Sequence, residues 1–334
     1  MNVTTTSASG GTSPLRWLWI GVFLLALYAG VPLALGGNLY IMSMLVAALT
    51  IGGVALAWAL LGNLGGMVSF GHAAFFGVGS YVSALLTMKL GVPVFAAMVL
   101  GGVGSTLASI LMIPVLRLRG PYFALAILAY AHIFKIIATE WKGLTNGAGG
   151  LASIPRFPSV LGIDFSGKTG AYCILVTILL VFVFVYRRVR ASDYGLALRA
   201  MHDSEEATRV LGVNSTLLKA LMLFLSAFMA GMMGAFNAHY INFLEPDYAF
   251  SPLWTTLPIV AAIFGGYRTI SGPLLGALVV YLVDQLVFKA IIPNGHQIVL
   301  GALLGAMILF SPGGLLPLVL EKMSRWKGRA HAQA

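Results

Sequence analysis

Residues 39–61 read LYIMSMLVAALTIGGVALAWALL and contain no charged side chain. A helix rises about 1.5 Å per residue, so about 20 apolar residues cross a hydrocarbon core of about 30 Å. This stretch therefore predicts a transmembrane helix. Together with similar runs it predicts an all-α, polytopic integral membrane protein with about ten spans. The other runs lie at residues 17–36, 72–88, 93–115, 121–138, 170–186, 217–240, 252–266, 273–292 and 298–318.

The composition supports this class. Of the 334 residues, 59% are hydrophobic and 9% are charged, and the mean hydropathy is +0.93; these values lie outside the range of soluble domains. Cys173 is the single cysteine, which excludes a disulfide within the chain. The net charge of +10 resides mainly in short loops beside apolar runs. Membrane topology accounts for that distribution, so the charge does not indicate a nucleic-acid partner.

The distribution of basic residues predicts the orientation. About ten crossings place both termini on one side, where the loops hold fourteen basic residues against five in the opposite loops. The positive-inside rule therefore places both termini in the cytoplasm. We expect a disordered polar tail at residues 1–16, a transmembrane domain at 17–318 and a basic cytoplasmic tail at 319–334. The run at 252–266 is short, which indicates a broken or re-entrant element.

Residues 187–219, the polar segment, interrupt the apolar chain with six basic and four acidic residues. The pattern predicts two short amphipathic helices. The first has Arg199 on its polar side and an apolar face made of Tyr194, Ala197, Leu198 and Met201. A charged segment between spans contacts either a soluble partner or the anionic lipid surface, and the residues alone leave both open.

The second helix of the polar segment has start and stop signals. Asp203 is predicted as its N-cap, with Glu206 as the third-position partner of a capping box. Gly212 is predicted to end it in the left-handed conformation. Its apolar face is predicted to consist of Ala207, Val210 and Leu211.

The polar segment contains a motif that resembles one from a known protein family. Glu206-Ala207-Thr208, followed by three residues and Gly212, is similar to the E-A-A-x-x-x-G motif through which permease subunits of ABC importers engage their ATPases. Further blocks, in order, resemble the permease subunits of branched-chain amino-acid ABC importers, the LIV-type inner-membrane permeases. These blocks are residues 65–77 (GGMVSFGHAAFFG), 118–124 (LRGPYFA), 145–155 and 264–277.

The resemblance implies one half of a translocation pathway for branched-chain or other hydrophobic amino acids in a bacterial inner membrane. The implied partners are a second homologous permease, cytoplasmic ABC ATPase subunits and an extracytoplasmic substrate-binding protein. The chain itself would be non-catalytic and would carry no cofactor. The helix at residues 204–211 would transmit ATPase closure. The residues expected to couple it to the ATPase are Arg199, Glu205, Glu206, Ala207 and Gly212.

Six residues are candidates for the substrate pathway. Four are polar or backbone-exposing positions in the resembling blocks, namely Ser69, Gly71, His72 and Tyr122. Asp284 is added because an acid within a span is a pathway or pairing candidate. His132 stands where we expect a glutamate in the family, which leaves the exact substrate open. Thr208 departs from the alanine of the coupling motif but is small enough to fit.

Other functions stay open on the residues. Urea, an amide or another small solute would need a similar pore. A self-contained channel or secondary transporter would need ionisable relays within spans, for which Asp284 and the histidines are candidates. The histidines lie in different spans without metal-ligand spacing, so no metal site is expected.

Overall fold

The computed structural model describes residues 21–118, 120–159, 162, 164–292, 295–310, 313–314 and 316. The tails expected at 1–16 and 319–334 lie outside these residues. The predicted all-α class is confirmed. The main helices are α1 (Gly21–Leu35), α2 (Leu39–Gly65), α3 (His72–Leu90), α4 (Val94–Ile110), α5 (Pro121–Glu140), α6 (Lys168–Ala191), α7 (Asp193–Asp203), α8 (Glu205–Val210), α9 (Ser215–Ile241), α10 (Leu253–Gly265), α11 (Gly272–Ile291) and α12 (His296–Phe310).

Seven helical segments in the described part of the chain are long and apolar enough to cross a membrane. They are α2, α3, α5, α6, α9, the segment Pro246–Gly265 that contains α10, and α11. Three further apolar helices, in α1, α4 and α12, are shorter. Each predicted run therefore has a helical counterpart, and the total of ten crossings stays a prediction.

The centre of the bundle is α9, which packs against α2, α3 and α4. Glycines allow these backbones to approach closely. A Cβ added at Gly79 of α3 would overlap the backbone of Gly231 in α9, and one at Gly234 would overlap the carbonyl of Phe76. Lipid tails are as apolar as the helices, so the hydrophobic effect does not drive helices together in a bilayer. Close backbone packing of this kind stabilises the bundle instead.

One end of the bundle carries the polar segment, and we call it the inner end; the opposite end is the outer end. At the outer end, β1 (Leu151–Ala152) pairs antiparallel with β2 (Phe243–Leu244). Lys135 of α5 reaches toward this end and forms an ion pair of 2.6 Å with Asp247. The two ends thus have distinct polar structure, as expected of a chain with two aqueous faces.

Two breaks in the helices lie inside the bundle. After α2, Gly66 has a φ of 65° and residues 66–71 are not helical. The Trp58 indole Nε1 donates to the Ser69 carbonyl at 2.9 Å, so this stretch runs back alongside α2. The second break separates the short turn Pro246–Ala249 from α10. The predicted run 252–266 itself forms the single helix Leu253–Gly265, so a re-entrant path for it stays a prediction. The backbone N–H of Ala73 donates to Thr255 Oγ1 at 3.0 Å, and thereby joins the first turns of α3 and α10, which follow the two breaks.

Candidate functional site

The start of α8 differs from the sequence prediction. Ser204 is the N-cap, and its hydroxyl accepts from the backbone N–H of Ala207 at 3.3 Å. Asp203 is instead the last residue of α7. The prediction of a capping box between Asp203 and Glu206 was therefore wrong. The physical reason is the extended backbone of Ser204, with φ of −156°, which separates the two helices one residue later than predicted.

The end of α8 confirms the predicted glycine stop. Gly212 has a φ of 86°, a conformation that glycine adopts without strain. Its N–H donates to the Arg209 carbonyl at 2.9 Å, and the N–H of Val213 donates to the Thr208 carbonyl at 3.3 Å. These bonds satisfy the last carbonyls of the helix. The chain can therefore turn directly into α9.

The apolar face of α8 points away from the protein. Val210 is 88% exposed and Leu211 is 80% exposed, while Glu206 and Ala207 are exposed beside them. Thr208 is the buried residue of the turn, and its hydroxyl donates to the Ser204 carbonyl at 2.8 Å. Exposed large apolar side chains next to polar ones are typical of an interaction surface. We call Glu206, Ala207, Val210 and Leu211 the docking face.

The inward side of α8 is attached to the bundle by charge. Glu205 pairs with Lys219 of α9 at 2.9 Å and with Arg209 at 3.0 Å, and Arg209 Nε donates to Ser215 Oγ at 2.7 Å. Burial acts to raise the pKa of Glu205, but the hydrogen bond and charge of Lys219, aided by Ser215 and Arg209, hold it below its ordinary value. Glu205 therefore contacts this chain rather than solvent.

The predicted face of α7 is only partly confirmed. Leu198 and Met201 are buried, but Tyr194 is 63% exposed, because α7 packs only one edge on the bundle. Arg199 points to solvent, as expected, and its Nε donates to the Gly195 carbonyl one turn earlier at 3.2 Å. Among the described residues, Arg199 forms no ion pair with Glu206 of the docking face.

Two cavities follow the break after α2. The inner cavity, of about 540 Å³, reaches Glu205 and Lys219. The middle cavity, of about 280 Å³, includes Ala73 and Thr255, which join the first turns of α3 and α10. Phe70 lines both cavities and is 40% exposed. The inner cavity therefore connects the attachment of α8 to the non-helical stretch, with Phe70 between the two spaces.

Four of the six predicted pathway residues lie near the first break or the middle cavity. His132 lines the middle cavity. Ser69 and Gly71 are buried in the first break, and a Cβ at Gly71 would overlap Ile127 of α5. His72 is fully buried, with Nε2 2.9 Å from Ser226 Oγ, and lines neither of these cavities. Thus His72 holds α3 against α9.

Tyr122 and Asp284 lie apart from those residues. Tyr122 is 74% exposed at the start of α5 and does not line the inner cavity, although its neighbours do. Asp284 lines a third space, the outer cavity, of about 440 Å³ between α2, α9, α10, α11 and α12. The structure therefore does not bring Asp284 together with the middle cavity.

Sequence reasoning missed three residues that the geometry makes central. Phe70 reads as one apolar residue in a glycine-rich block, and Thr255 as one polar residue in an apolar run. Lys219 appeared only as the last charge of the polar segment. Its position at the first turn of a span was a signal, because a cation there requires a partner or water. Among the described residues, no group of three or more His, Cys, Asp and Glu side chains could hold a metal ion.

Comparison with known proteins agrees with this architecture. The family described as the permease component of branched-chain amino acid transport systems matches residues 40–311. The high-affinity branched-chain amino acid transport system permease protein LivM of Salmonella typhimurium is 26% identical over 295 residues, covering 81% of this chain and 68% of that protein. The probable LivM permease of Methanocaldococcus jannaschii is 23% identical, covering 81% and 79%.

A second type of permease is also similar. LivH of Salmonella typhimurium, again a high-affinity branched-chain amino acid permease protein, is 24% identical, covering 74% of this chain and 86% of that protein. No solved structure matches the chain. The family match spans both helix breaks, α8 and the three cavity-lining helices α3, α5 and α10. The chain therefore belongs to the family of multi-pass permease components of branched-chain amino acid transport systems.

Proposed function

We propose that the chain is a permease subunit of an ATP-driven importer, in a bacterial inner membrane, that carries branched-chain or other hydrophobic amino acids. The observation that carries this proposal is α8, which presents an exposed apolar docking face and is attached on its other side to α9 through Glu205 and Lys219. The inner end would face the cytoplasm, with both termini on that side. Partner ATPases would hydrolyse ATP, and this chain would contribute no catalytic residue.

The ion pair between Glu205 and Lys219 suggests how a movement of α8 reaches the substrate pathway. An ATPase that seats on Val210 and Leu211 moves α8 as one rigid turn. Because Glu205 and Lys219 also line the inner cavity, that motion changes the cavity wall directly. Lys219 belongs to α9, which packs against three other helices of the core. A displacement at the docking face is therefore transmitted through a packed helix rather than through a loop.

The helix starts that follow the two breaks supply polar groups for a cargo. In lipid, non-helical backbone is tolerated only where protein buries it or where it lines a cavity, and transporters place substrate sites at such breaks. The middle cavity combines an apolar wall, including Leu128 and Phe250, with the hydroxyls of Thr255 and Thr256. We propose that an apolar amino-acid side chain contacts the wall and that Phe70 controls passage to the inner cavity.

A second homologous permease would complete the pathway. The helix α5 lines the middle cavity yet leaves large apolar side chains exposed, among them Leu125 at 62% and Ile136 at 61%. This surface suits either lipid or another apolar helix bundle. A soluble extracytoplasmic binding protein would deliver cargo at the outer end. Membrane lipid would cover the remaining apolar surface.

The test is uptake in proteoliposomes by the full complex, formed from the protein with the permease, ATPases and binding protein encoded beside it. Val210→Glu places a charge on the docking face at an exposed position and should abolish both ATPase assembly and uptake. Thr216→Glu adds the same charge at an exposed position at the same end, outside the docking face, and serves as the control. If Val210→Glu leaves assembly and uptake intact, the proposal is wrong.

A channel or secondary transporter is the second candidate, and the buried acid Asp284 favours it. This alternative requires uptake by the chain alone in proteoliposomes without ATPase or ATP. Urea or amide cargo is distinguished by asking which solute's binding protein stimulates ATP hydrolysis by the complex. Stimulation by a leucine-binding protein supports the amino-acid proposal, whereas stimulation only by a urea- or amide-binding protein contradicts it.

A further inference from the structure

Asp284 is a buried acid with no ion-pair partner among the described residues. It lies within α11 where the helix widens into a π-helical turn, Asp284–Phe288, and the residue is 4% exposed. Its Oδ1 is buried and accepts no hydrogen bond from the residues that the structure describes. A buried carboxylate without a partner is costly, and in membrane proteins such acids mark binding sites and pathways. A π-helical turn inside a helix is frequently associated with a functional site.

The outer cavity gives Asp284 a place to meet a ligand. Its volume of about 440 Å³ lies within the usual range for small-molecule sites. Four aromatic side chains line it, namely Tyr240, Tyr248, Trp254 and Tyr281. Aromatic faces attract cations and also pack against apolar groups. The wall therefore suits a ligand that is partly apolar and carries a positive charge.

Part of this wall is fixed by its own hydrogen bonds. The Tyr248 hydroxyl donates to Asn237 Oδ1 at 2.9 Å, and Trp254 Nε1 donates to the Tyr248 carbonyl at 3.1 Å. The two rings meet edge to face, with centroids 5.7 Å apart. Their polar atoms are thus used within the protein. One face of Trp254 is stacked on Phe76, with centroids 3.9 Å apart, so a ligand would contact the ring surface that remains. A wall ordered in advance lowers the entropy lost on binding.

A cation at the edge of the cavity adds the opposite charge. Lys289 is exposed, lines the cavity, and donates through Nζ to Gln285 Oε1 at 3.2 Å. It forms no ion pair with Asp284 or with any other acid among the described residues. The cavity therefore presents a buried acid and a separate, accessible cation on one helix, and His296 of α12 lines the same space. This arrangement matches a small zwitterion better than a simple cation or anion.

We propose that the outer cavity binds a free zwitterionic amino acid with an apolar side chain. Its ammonium group would donate to Asp284, its carboxylate would face Lys289, and its side chain would pack on the aromatic wall. The site is separate from the middle cavity. The ligand class rests on the proposed function, whereas the site itself does not depend on how α8 engages an ATPase.

The test measures ligand binding to the purified full-length chain in detergent, by calorimetric titration at neutral pH. L-Leucine should bind. Isopentylamine, which lacks the carboxylate, should bind more weakly, and 4-methylpentanoate, which lacks the ammonium group, should not bind detectably. Asp284→Asn keeps the shape but removes the charge, and should weaken leucine binding about 10- to 100-fold, as expected for a charge-assisted hydrogen bond.

Lys289→Gln provides a second variant, because Lys289 is exposed and its replacement should not affect folding. It should weaken leucine binding and leave isopentylamine binding unchanged. The matched control Lys142→Gln removes an exposed charge that does not line the cavity. Size-exclusion profiles identify variants that fail to fold. Unchanged leucine binding in both cavity variants, or displacement of leucine by sodium ions alone, would overturn the proposal.

The uptake and binding experiments together distinguish failure of this site from failure of the proposed function. If Val210→Glu abolishes uptake while leucine binding to the chain persists, both stand. If the chain alone transports leucine without ATPase, the importer proposal fails and the site remains. If uptake requires the ATPase but Asp284→Asn and Lys289→Gln leave leucine binding at the wild-type value, the site fails and the importer remains.

Discussion

The ion pair between Glu205 and Lys219 should determine how firmly α8 is held. Its side chains are 18% and 13% exposed and its N–O distance is 2.9 Å. Exposed pairs contribute about 0.2–1 kcal/mol, and removing one partner of a fully buried pair costs about 3–5 kcal/mol. This pair lies between the two cases, so we expect about 1–3 kcal/mol. That free energy corresponds to about a 5- to 150-fold change in the fraction of detached α8.

The two single variants should differ. Lys219→Met leaves Glu205 with Arg209, which is half-exposed and 3.0 Å away, so the loss is partly offset. Glu205→Gln leaves Lys219 without a charged partner in the cavity wall, and should therefore cost more. The double variant removes both charges and should cost less than the sum of the two.

The assay is hydrogen exchange of the backbone amides of residues 208–213 in the full-length chain, because local opening of α8 exposes them. The loss of protection in each variant gives the change in the free energy of opening α8. The double-mutant cycle gives the coupling energy between Glu205 and Lys219. Asp203→Asn, an exposed acid without an ion pair among the described residues, is the control. If the free-energy changes of the two single variants sum to that of the double variant within about 0.5 kcal/mol, the pair does not hold α8.

Substitutions at Gly79, Gly212 and Glu205 should each have a distinct effect. Gly79→Ala should lower the unfolding temperature in detergent or prevent folding, because its Cβ overlaps Gly231, whereas Gly301→Ala has open space around it and should not. Gly212→Ala should weaken uptake, since its φ of 86° costs a side-chain-bearing residue about 1–2 kcal/mol; unchanged uptake and α8 protection would contradict this. Because the folded pKa of Glu205 is lowered, its stabilisation is complete above the unfolded value of about 4.3 and is lost as pH falls through the folded value. Protection of α8 should thus be constant between about pH 7 and 5 and decrease below about pH 4, and Glu205→Gln should abolish that decrease.

The spans could be predicted from sequence because apolar length is a local property. A run such as 39–61 needs no partner to be recognised, and α2 indeed covers Leu39–Gly65. The breaks could be suspected but not located, since long-range contacts fix them. Neither the Trp58 bond to Ser69 nor the Ala73 bond to Thr255 has a local sequence signal. The middle cavity forms where those contacts meet, so sequence could not reveal it.

The wrong N-cap of α8 has a related cause. Asp203 and Ser204 are adjacent, and both residue types favour the N-cap. The choice depends on how far α7 extends, and α7 extends through Asp203 while Leu198 and Met201 are buried against the bundle. Tertiary burial therefore decided between two equally good local signals. Gly212 had no such competitor, and its prediction was confirmed.

The geometry of α8 favours a protein over lipid as the partner of its docking face. An interfacial helix lies along the membrane plane and usually carries basic residues on its polar side. Here the helix has six residues, and Glu206 lies exposed beside Val210 and Leu211. Its basic residue Arg209 is already paired with Glu205, so little positive charge faces an anionic surface. Burying Val210 and Leu211, which are 88% and 80% exposed, contributes up to about 1.5–3 kcal/mol each. A protein groove can also place hydrogen-bond donors precisely against Glu206, which lipid headgroups cannot.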